Sequence, residues 1–196
     1  MLFSVPGVVL TPRAQENMMK PESQPVFYEA PVPAQGIPAR QRSKPTPGCK
    51  ILFLCRDNSA LSIIAQALLN RWEGQGFRAF SAGSQPTVEV HPLAAALLKA
   101  NGIWSQALEP KDCGGFIGRD ATTVDFVISL GAQPPDGMPS SWPGNPRVMH
   151  WRINEPRADG SPKEKMSAFR KTFTELETRI KLFVLVNERT ARKKVA

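Results

Sequence analysis

The stretch Lys50-Ile-Leu-Phe-Leu-Cys-Arg-Asp-Asn-Ser-Ala-Leu-Ser62 combines three local signals. Its opening residues form a short apolar run, which is typical of a buried strand. Asn58 and Ser59 are residue types that cap helices. Apolar residues then recur at helical spacing, at Ile63, Ile64, Ala67, Leu68 and Trp72. The stretch therefore predicts a strand, a tight loop and a helix in direct succession.

Strands and helices continue to alternate after this stretch. Further strands are predicted at 78–81, 123–129 and 147–151, and further helices at 92–100 and from about 163 to 186. Such alternation favours a parallel sheet that is covered on both faces. We therefore predict an α/β protein with three α/β/α layers and a central four-stranded parallel sheet.

A change in composition near Gly48 predicts the domain organisation. Nine of the 19 prolines precede that residue, and each proline removes a backbone donor and biases its neighbour towards extended geometry. We predict a Pro-rich flexible leader at 1–48, a folded domain at 49–187 and a basic tail at 188–196. A Pro-rich partner motif in the leader has no support, because such composition alone specifies no partner.

Composition excludes several classes of function. The net charge is +8, but the chain has only one Tyr and no stripe of interleaved aromatic and basic residues, so nucleic-acid binding is not predicted. No apolar run approaches the roughly 20 residues of a membrane helix. The three cysteines fit neither a disulfide framework nor a zinc pattern, which indicates a reducing, cytoplasmic setting without a metal.

Cys55 directly follows the first predicted strand and precedes a helix. Ligands of parallel sheets bind beyond the carboxyl ends of strands, and unpaired N–H groups at a helix start attract anions and favour a thiolate. This position makes Cys55 a candidate nucleophile. Taken alone, a lone cysteine is more often an inert packing residue.

The loop resembles the pattern C-x-x-N-S-A-R-S of the low-molecular-weight tyrosine phosphatase and arsenate reductase family. The matching residues are Cys55, Asn58, Ser59, Ala60 and Ser62. Segments 81–83 and 90–92 also resemble the family, and segments 142–144, 150–151 and 168–183 resemble its arsenate reductase branch. This ordered set spans nearly the whole of residues 50–187. The resemblance implies the phosphatase-like fold and no resident cofactor.

The resemblance also implies a mechanism. Cys55 would attack phosphorus or arsenic as a thiolate, and Asn58 and Ser59 would hold the loop and the sulfur in place. The family's general acid lies in an Asp-Pro pair, which here reads Glu155-Pro156. Glu155 is competent as an acid, but its carboxyl lies one methylene further out. A surface carboxylate in a polar loop is the alternative interpretation.

Two residues of the loop depart from the family pattern. Leu61 stands where the family has an arginine that binds the anion through two oxygens. By analogy with arginines that stabilise phosphoryl transfer, the loss of that arginine costs on the order of 10³–10⁵ in rate. Asp57 adds a negative charge that opposes both anion binding and thiolate formation. Arg56 follows the nucleophile directly and projects differently from the missing arginine. Pairing with Asp57 or exposure to solvent is therefore favoured over compensation.

These observations leave two hypotheses for the function. One is a slow enzyme, an arsenate reductase or phosphomonoester phosphatase acting on arsenate, phosphate or a phosphorylated substrate. The other is a non-catalytic module that binds oxyanions or a protein partner. Thioredoxin-linked relatives carry relay cysteines in the region corresponding to 130–143, which contains none here. Cys113 is the candidate resolving thiol, and glutathione, glutaredoxin or thioredoxin are the candidate external reductants.

Overall fold

The computed structural model describes residues 48–118, 120–156 and 159–193, with side chains described up to residue 189. The predicted leader, apart from its last residue, lies outside these ranges. Within them, the strands are β1 (Cys49–Cys55), β2 (Phe77–Gly83), β3 (Phe126–Gly131) and β4 (Arg147–Arg152). The α-helices are α1 (Leu61–Leu69), α2 (Pro92–Ala100) and α3 (Pro162–Lys193), and two short 3-10 segments span Asn70–Gln75 and Cys113–Phe116.

The four strands form one sheet in the order β2-β1-β3-β4, and every neighbouring pair is parallel. This confirms the predicted four-stranded parallel sheet with helices. β1 lies inside the sheet, and its residues are buried except for half-buried Lys50. A strand covered on both faces needs apolar residues at successive positions, which explains its continuous apolar run.

The two faces of the sheet are covered unequally. The face that contains Ile51, Phe53 and Cys55 shares one core cluster with residues of all three helices, which also contact one another. The opposite face, with Leu52 and Leu54, is covered by Phe116 of the second 3-10 segment and by Trp142 of the loop before β4, together with other residues. The predicted three layers are therefore present, with a thick helical layer and a thinner one built largely from loops.

The start and end of α1 differ from the prediction. The helix begins at Leu61, and the preceding cap residue, Ala60, makes no side-chain cap hydrogen bond. The side chain of Asn58, which was predicted to cap the helix, instead donates to Ser62 Oγ and accepts the backbone N–H of Lys111. Trp72 lies in the following 3-10 segment, because its backbone leaves helical geometry at φ −102° and ψ 16°.

The bounds of β3 and α3 also differ from the prediction. β3 begins at Phe126 rather than at residue 123, because its pairing with β1 and with β4 starts only at Phe126. α3 continues to Lys193, well into the segment predicted as a basic tail. The predicted apolar stripe of α3 is confirmed as core, with buried residues at Phe169, Phe173, Leu176, Ile180 and Phe183. No helix in the described part of the chain is both long and apolar enough to cross a membrane.

Candidate active site

A segment of eight residues, 55–62, runs from the last residue of β1 into the first turn of α1, and we call it the loop 55–62. Backbone N–H groups of the segment 84–91 hold its carbonyl oxygens. Four such bonds join Ser84 to Cys55 at 3.2 Å, Gln85 to Arg56 at 2.8 Å, Thr87 to Asp57 at 2.9 Å and His91 to Ser59 at 2.9 Å. Because these carbonyl groups point outward to 84–91, N–H groups of the loop can face its interior. The loop thus has the form of an anion cradle.

Asn58 fixes the shape of the loop from within. Its φ angle is 49°, in the left-handed region that Asn tolerates better than most residues. Its buried side-chain amide donates to Ser62 Oγ at 2.7 Å, and its Oδ1 accepts the backbone N–H of Lys111 at 2.8 Å. Asn58 therefore ties the loop to the start of α1 and to a distant segment of the chain.

The sulfur of Cys55 lies against donors of the loop. The Asn58 N–H donates to Sγ at 3.2 Å, and Sγ lies 2.9 Å from Ser62 Oγ. Cys55 is only 2% exposed, and this burial raises its thiol pKa to about 11. The Asp57 charge also raises this pKa, while hydrogen bonds from Ser62 and Asn58 lower it. Desolvation outweighs the donors, so Cys55 is a neutral thiol at pH 7, not the thiolate that its loop position suggested.

Asp57 turns its carboxylate into the loop. Oδ1 accepts the backbone N–H of Ser59 at 3.2 Å, and Oδ2 accepts the Ser59 hydroxyl at 2.9 Å. The same Oδ1 lies 3.6 Å from Cys55 Sγ. The neighbouring Arg56 side chain is exposed to solvent.

Leu61 packs into the core instead of facing the loop. It is the first residue of α1 and is 2% exposed, within the cluster between the helices and the sheet. Its side chain gives the loop neither charge nor a donor. The position that holds the family's arginine is therefore used for packing.

Glu155 and Cys113 are not brought into contact with the loop. Glu155 is exposed and follows β4, which lies two strands, about 10 Å, from β1. None of the contacts within the described residues joins it to Cys55. Cys113 follows Asp112, which bridges to Gly83, the partner of Cys55 in β2. Two such steps place the backbones of Cys113 and Cys55 roughly 10 Å apart, beyond disulfide reach without movement. The roles of both residues stay predictions.

Gly83 and the segment 84–91 are parts of the site whose contacts the sequence does not reveal. A Cβ atom on Gly83 would lie 2.7 Å from the Arg56 carbonyl oxygen and 3.0 Å from Asn58 Cβ. Only glycine allows this close approach of β2 to the loop. The signals in the sequence were a glycine at the end of a predicted strand and the family resemblance of 81–83 and 90–92. Neither shows these contacts, because backbone hydrogen bonds leave no residue-type pattern. Across the described residues, no group of three or more His, Cys, Asp or Glu side chains could hold a metal ion.

Comparison with known proteins places this site in a family. The sequence profile of the family "Low molecular weight phosphotyrosine protein phosphatase" matches residues 50–195. The arsenate reductase of Halalkalibacterium halodurans is 29% identical over 134 residues, which cover 68% of this chain and 93% of the relative. The arsenate reductase of Bacillus subtilis is 29% identical over 138 residues, with 68% and 93% covered.

Solved structures share the fold. An arsenate reductase from Archaeoglobus fulgidus superposes with a TM-score of 0.52 at 24% identity, covering 68% of this chain and 98% of that one. The low-molecular-weight protein tyrosine phosphatase of T. tengcongensis gives a TM-score of 0.55 at 19% identity, with 69% and 97% covered. The match of the family profile to most of the chain shows that this protein belongs to the low-molecular-weight phosphotyrosine protein phosphatase family.

Proposed function

We propose that this protein acts on small tetrahedral oxyanions through Cys55, as a slow arsenate reductase or phosphomonoester phosphatase. One observation carries the proposal: the Asn58 N–H and the Ser62 hydroxyl both lie against Sγ, at 3.2 Å and 2.9 Å. Donors in these positions stabilise a thiolate once it forms. The relatives that are named arsenate reductases support the choice of substrate class.

The chemistry needs no resident cofactor. With arsenate, the Cys55 thiolate bonds to arsenic and displaces hydroxide. An external thiol then attacks the sulfur, forms a mixed disulfide with Cys55 and leaves the electron pair with arsenic as arsenite; a second thiol reduces that disulfide and frees Cys55. Thioredoxin, glutaredoxin and glutathione are the proposed reductants. With a phosphomonoester, the phosphoryl group passes to the sulfur, the leaving oxygen is protonated, and water releases phosphate. Glu155 is the candidate acid of that route.

Two features make the proposed activity slow. A thiol with a pKa of about 11 is ionised to only about 10⁻⁴ at pH 7. Leu61 also supplies no guanidinium to the transferring group, which costs on the order of 10³–10⁵ in rate by analogy with other phosphoryl-transfer arginines. Turnover should therefore rise with pH as more thiolate forms.

The test is turnover by the purified full chain with arsenate plus a thiol donor, and separately with an aryl phosphate. Cys55→Ser should abolish the activity, while the matched variant Cys113→Ser should retain turnover of the aryl phosphate, which needs no second thiol. An unchanged rate in Cys55→Ser would defeat the enzymatic proposal.

The second candidate function is a non-catalytic module that binds an oxyanion weakly or presents an interaction surface. The burial of Leu61 in the core supports this candidate, because Leu61 stands where the family has its anion-binding arginine and its side chain only packs. Its test is the double substitution Leu61→Arg and Asp57→Gly. A large gain in turnover would support a disabled natural loop on a sound scaffold. Efficient turnover by the unaltered protein would reject this candidate.

A cytoplasmic setting is part of the proposal. Its support is that the three cysteines, Cys49, Cys55 and Cys113, are odd in number and irregularly spaced and so fit no disulfide framework, which agrees with a reducing compartment. Neither a nucleic acid nor a membrane is proposed as a partner.

A further inference from the structure

The loop 55–62 already holds a negative charge of its own. The Asp57 carboxylate takes both donors of Ser59, the backbone N–H at 3.2 Å and the hydroxyl at 2.9 Å. It also lies 3.6 Å from the sulfur that would attack an oxyanion. These are positions that an oxygen of a bound anion would otherwise use, close to Sγ and on a loop N–H.

We propose that Asp57 is a built-in inhibitor of this loop, whose carboxylate takes the place of an oxygen of the oxyanion beside Cys55 Sγ. The inference rests on the proposed role of the loop as an oxyanion cradle. It adds the reason that the loop does not bind an oxyanion readily, which is that its own carboxylate uses the donors of Ser59.

The inhibition has two physical parts. The first is competition, since an incoming oxyanion must displace the carboxylate from Ser59 before it can use that N–H. The second is repulsion, because a carboxylate beside the sulfur opposes both a thiolate and a dianion. The buried setting strengthens this repulsion, as Cys55 is 2% exposed.

The side chains around Asp57 leave its charge largely uncompensated within the loop. Leu61 is packed into the core and Arg56 is exposed. The donors to the carboxylate are the backbone N–H and hydroxyl of Ser59 and the thiol of Cys55, all of them neutral groups. Removing one side chain should therefore change the loop from an anion-filled to an anion-accepting state.

The first experiment measures alkylation of each cysteine by iodoacetamide at pH 8, followed by mass spectrometry of the peptides. Asp57→Asn keeps the size of the side chain and an oxygen acceptor for Ser59 but loses the charge. We expect alkylation of Cys55 to speed up about tenfold, because the variant removes a negative charge that disfavours the reactive thiolate. Cys113 should react at its original rate. Cys49, which is fully buried, reports any general opening of the fold.

The matched control is Asp112→Asn. Asp112 also accepts the N–H of the residue two positions on, Gly114, but its charge raises the pKa of Cys113, not that of Cys55. This variant should accelerate Cys113 and leave Cys55 unchanged. Equal rates at Cys55 in the wild type and in Asp57→Asn would overturn the inference, and so would a parallel acceleration of Cys49.

The second experiment measures binding of inorganic vanadate to the wild type and to Asp57→Gly, which serves also if Asp57→Asn does not fold. We expect Asp57→Gly to bind at least about tenfold more tightly, and equal affinities would contradict the inference. Neither experiment requires turnover. If the protein shows no turnover, both experiments still test the role of Asp57. If Cys55-dependent turnover is present but the Asp57 variants behave like the wild type, this inference is wrong and the proposed function stands.

Discussion

Cys55 shows how burial and hydrogen bonding compete at a single atom. The Asn58 N–H and the Ser62 hydroxyl favour a thiolate, but desolvation by burial is larger and raises the thiol pKa to about 11. The sequence predicts backbone N–H donors, because they follow from a loop between a strand and a helix, but it does not single out the Ser62 hydroxyl. Ser59, which the resemblance assigned to hold the sulfur, bonds to Asp57 instead.

The sequence does not predict the extent of burial at Cys55, which depends on how the three helices cover that face of the sheet. The residue type of Leu61 shows that it is uncharged. Its place in the core could not be predicted, because it too depends on how the helices cover the sheet.

The raised pKa of Cys55 gives a pH-dependent contribution to stability. The folded-state pKa of about 11 lies above the ordinary value of 9.0, so the contribution is fully present below pH 9 and is lost as pH rises towards 11. A shift of this size is worth about 2–3 kcal/mol. We expect the stability difference between the wild type and Cys55→Ser to shrink by this amount between pH 9 and 11 in urea unfolding. Parallel curves would contradict the assignment.

Asn58 combines an unusual backbone angle with two side-chain hydrogen bonds. Asn58→Gly removes only the bonds to Ser62 and Lys111, whereas Asn58→Ala also forces a Cβ residue to stay at φ 49°. We expect Ala to be less stable than Gly by about 1 kcal/mol, and both to be less stable than the wild type by about 1–3 kcal/mol. Thermal unfolding measures both differences. Equal stability of the two variants would show that the backbone angle carries no strain.

At the scale of elements, the site depends on how β2 and the following segment 84–91 hold the loop. The strands themselves were predictable, because a parallel sheet buried on both faces demands apolar runs such as that of β1. The contacts between segment 84–91 and the loop were not predictable, since they are backbone hydrogen bonds that many sequences could make. Element ends were also poorly predicted, as the 3-10 segment after α1 shows.

The close approach of Gly83 to the loop gives a test at this scale. In Gly83→Ala the new Cβ would meet backbone of Arg56 and Asn58, at 2.7 Å and 3.1 Å. We expect a loss of about 1–3 kcal/mol in unfolding free energy and an altered alkylation rate at Cys55. The control is Gly74→Ala, where no atom lies within 4 Å of the added Cβ. A Gly83 variant that behaves like this control would refute the proposed contact.

At the scale of the whole domain, α3 joins three strands into one core. Phe183 of α3 has ring centroids 6.4 Å from Phe77 in β2, 5.0 Å from Phe126 in β3 and 6.1 Å from Trp151 in β4. The apolar stripe of α3 predicted that this helix is buried on one side. Its extension to Lys193 was not predicted, because the basic residues near its end are compatible with either a helix or a solvated tail.

Phe183→Ala tests this packing. The side chain is 7% exposed and contacts three strands, so its truncation should cost about 3–5 kcal/mol. The neighbouring Leu182 is 58% exposed, and Leu182→Ala should change stability by no more than about 0.5 kcal/mol. Chemical denaturation measures both. Similar losses of unfolding free energy in the two variants would show that Phe183 is not the residue with which α3 faces the sheet.

The central claim is that chemistry at this site passes through the sulfur of Cys55, held as a thiol. The most direct measurement is the pH dependence of aryl phosphate turnover, from pH 6 to 10, in the wild type and in Cys55→Ser. We predict a slow wild-type rate that rises about tenfold per pH unit as the thiolate forms, and no such rise in Cys55→Ser. A wild-type profile that is flat across this range, or that coincides with that of Cys55→Ser, would contradict the claim.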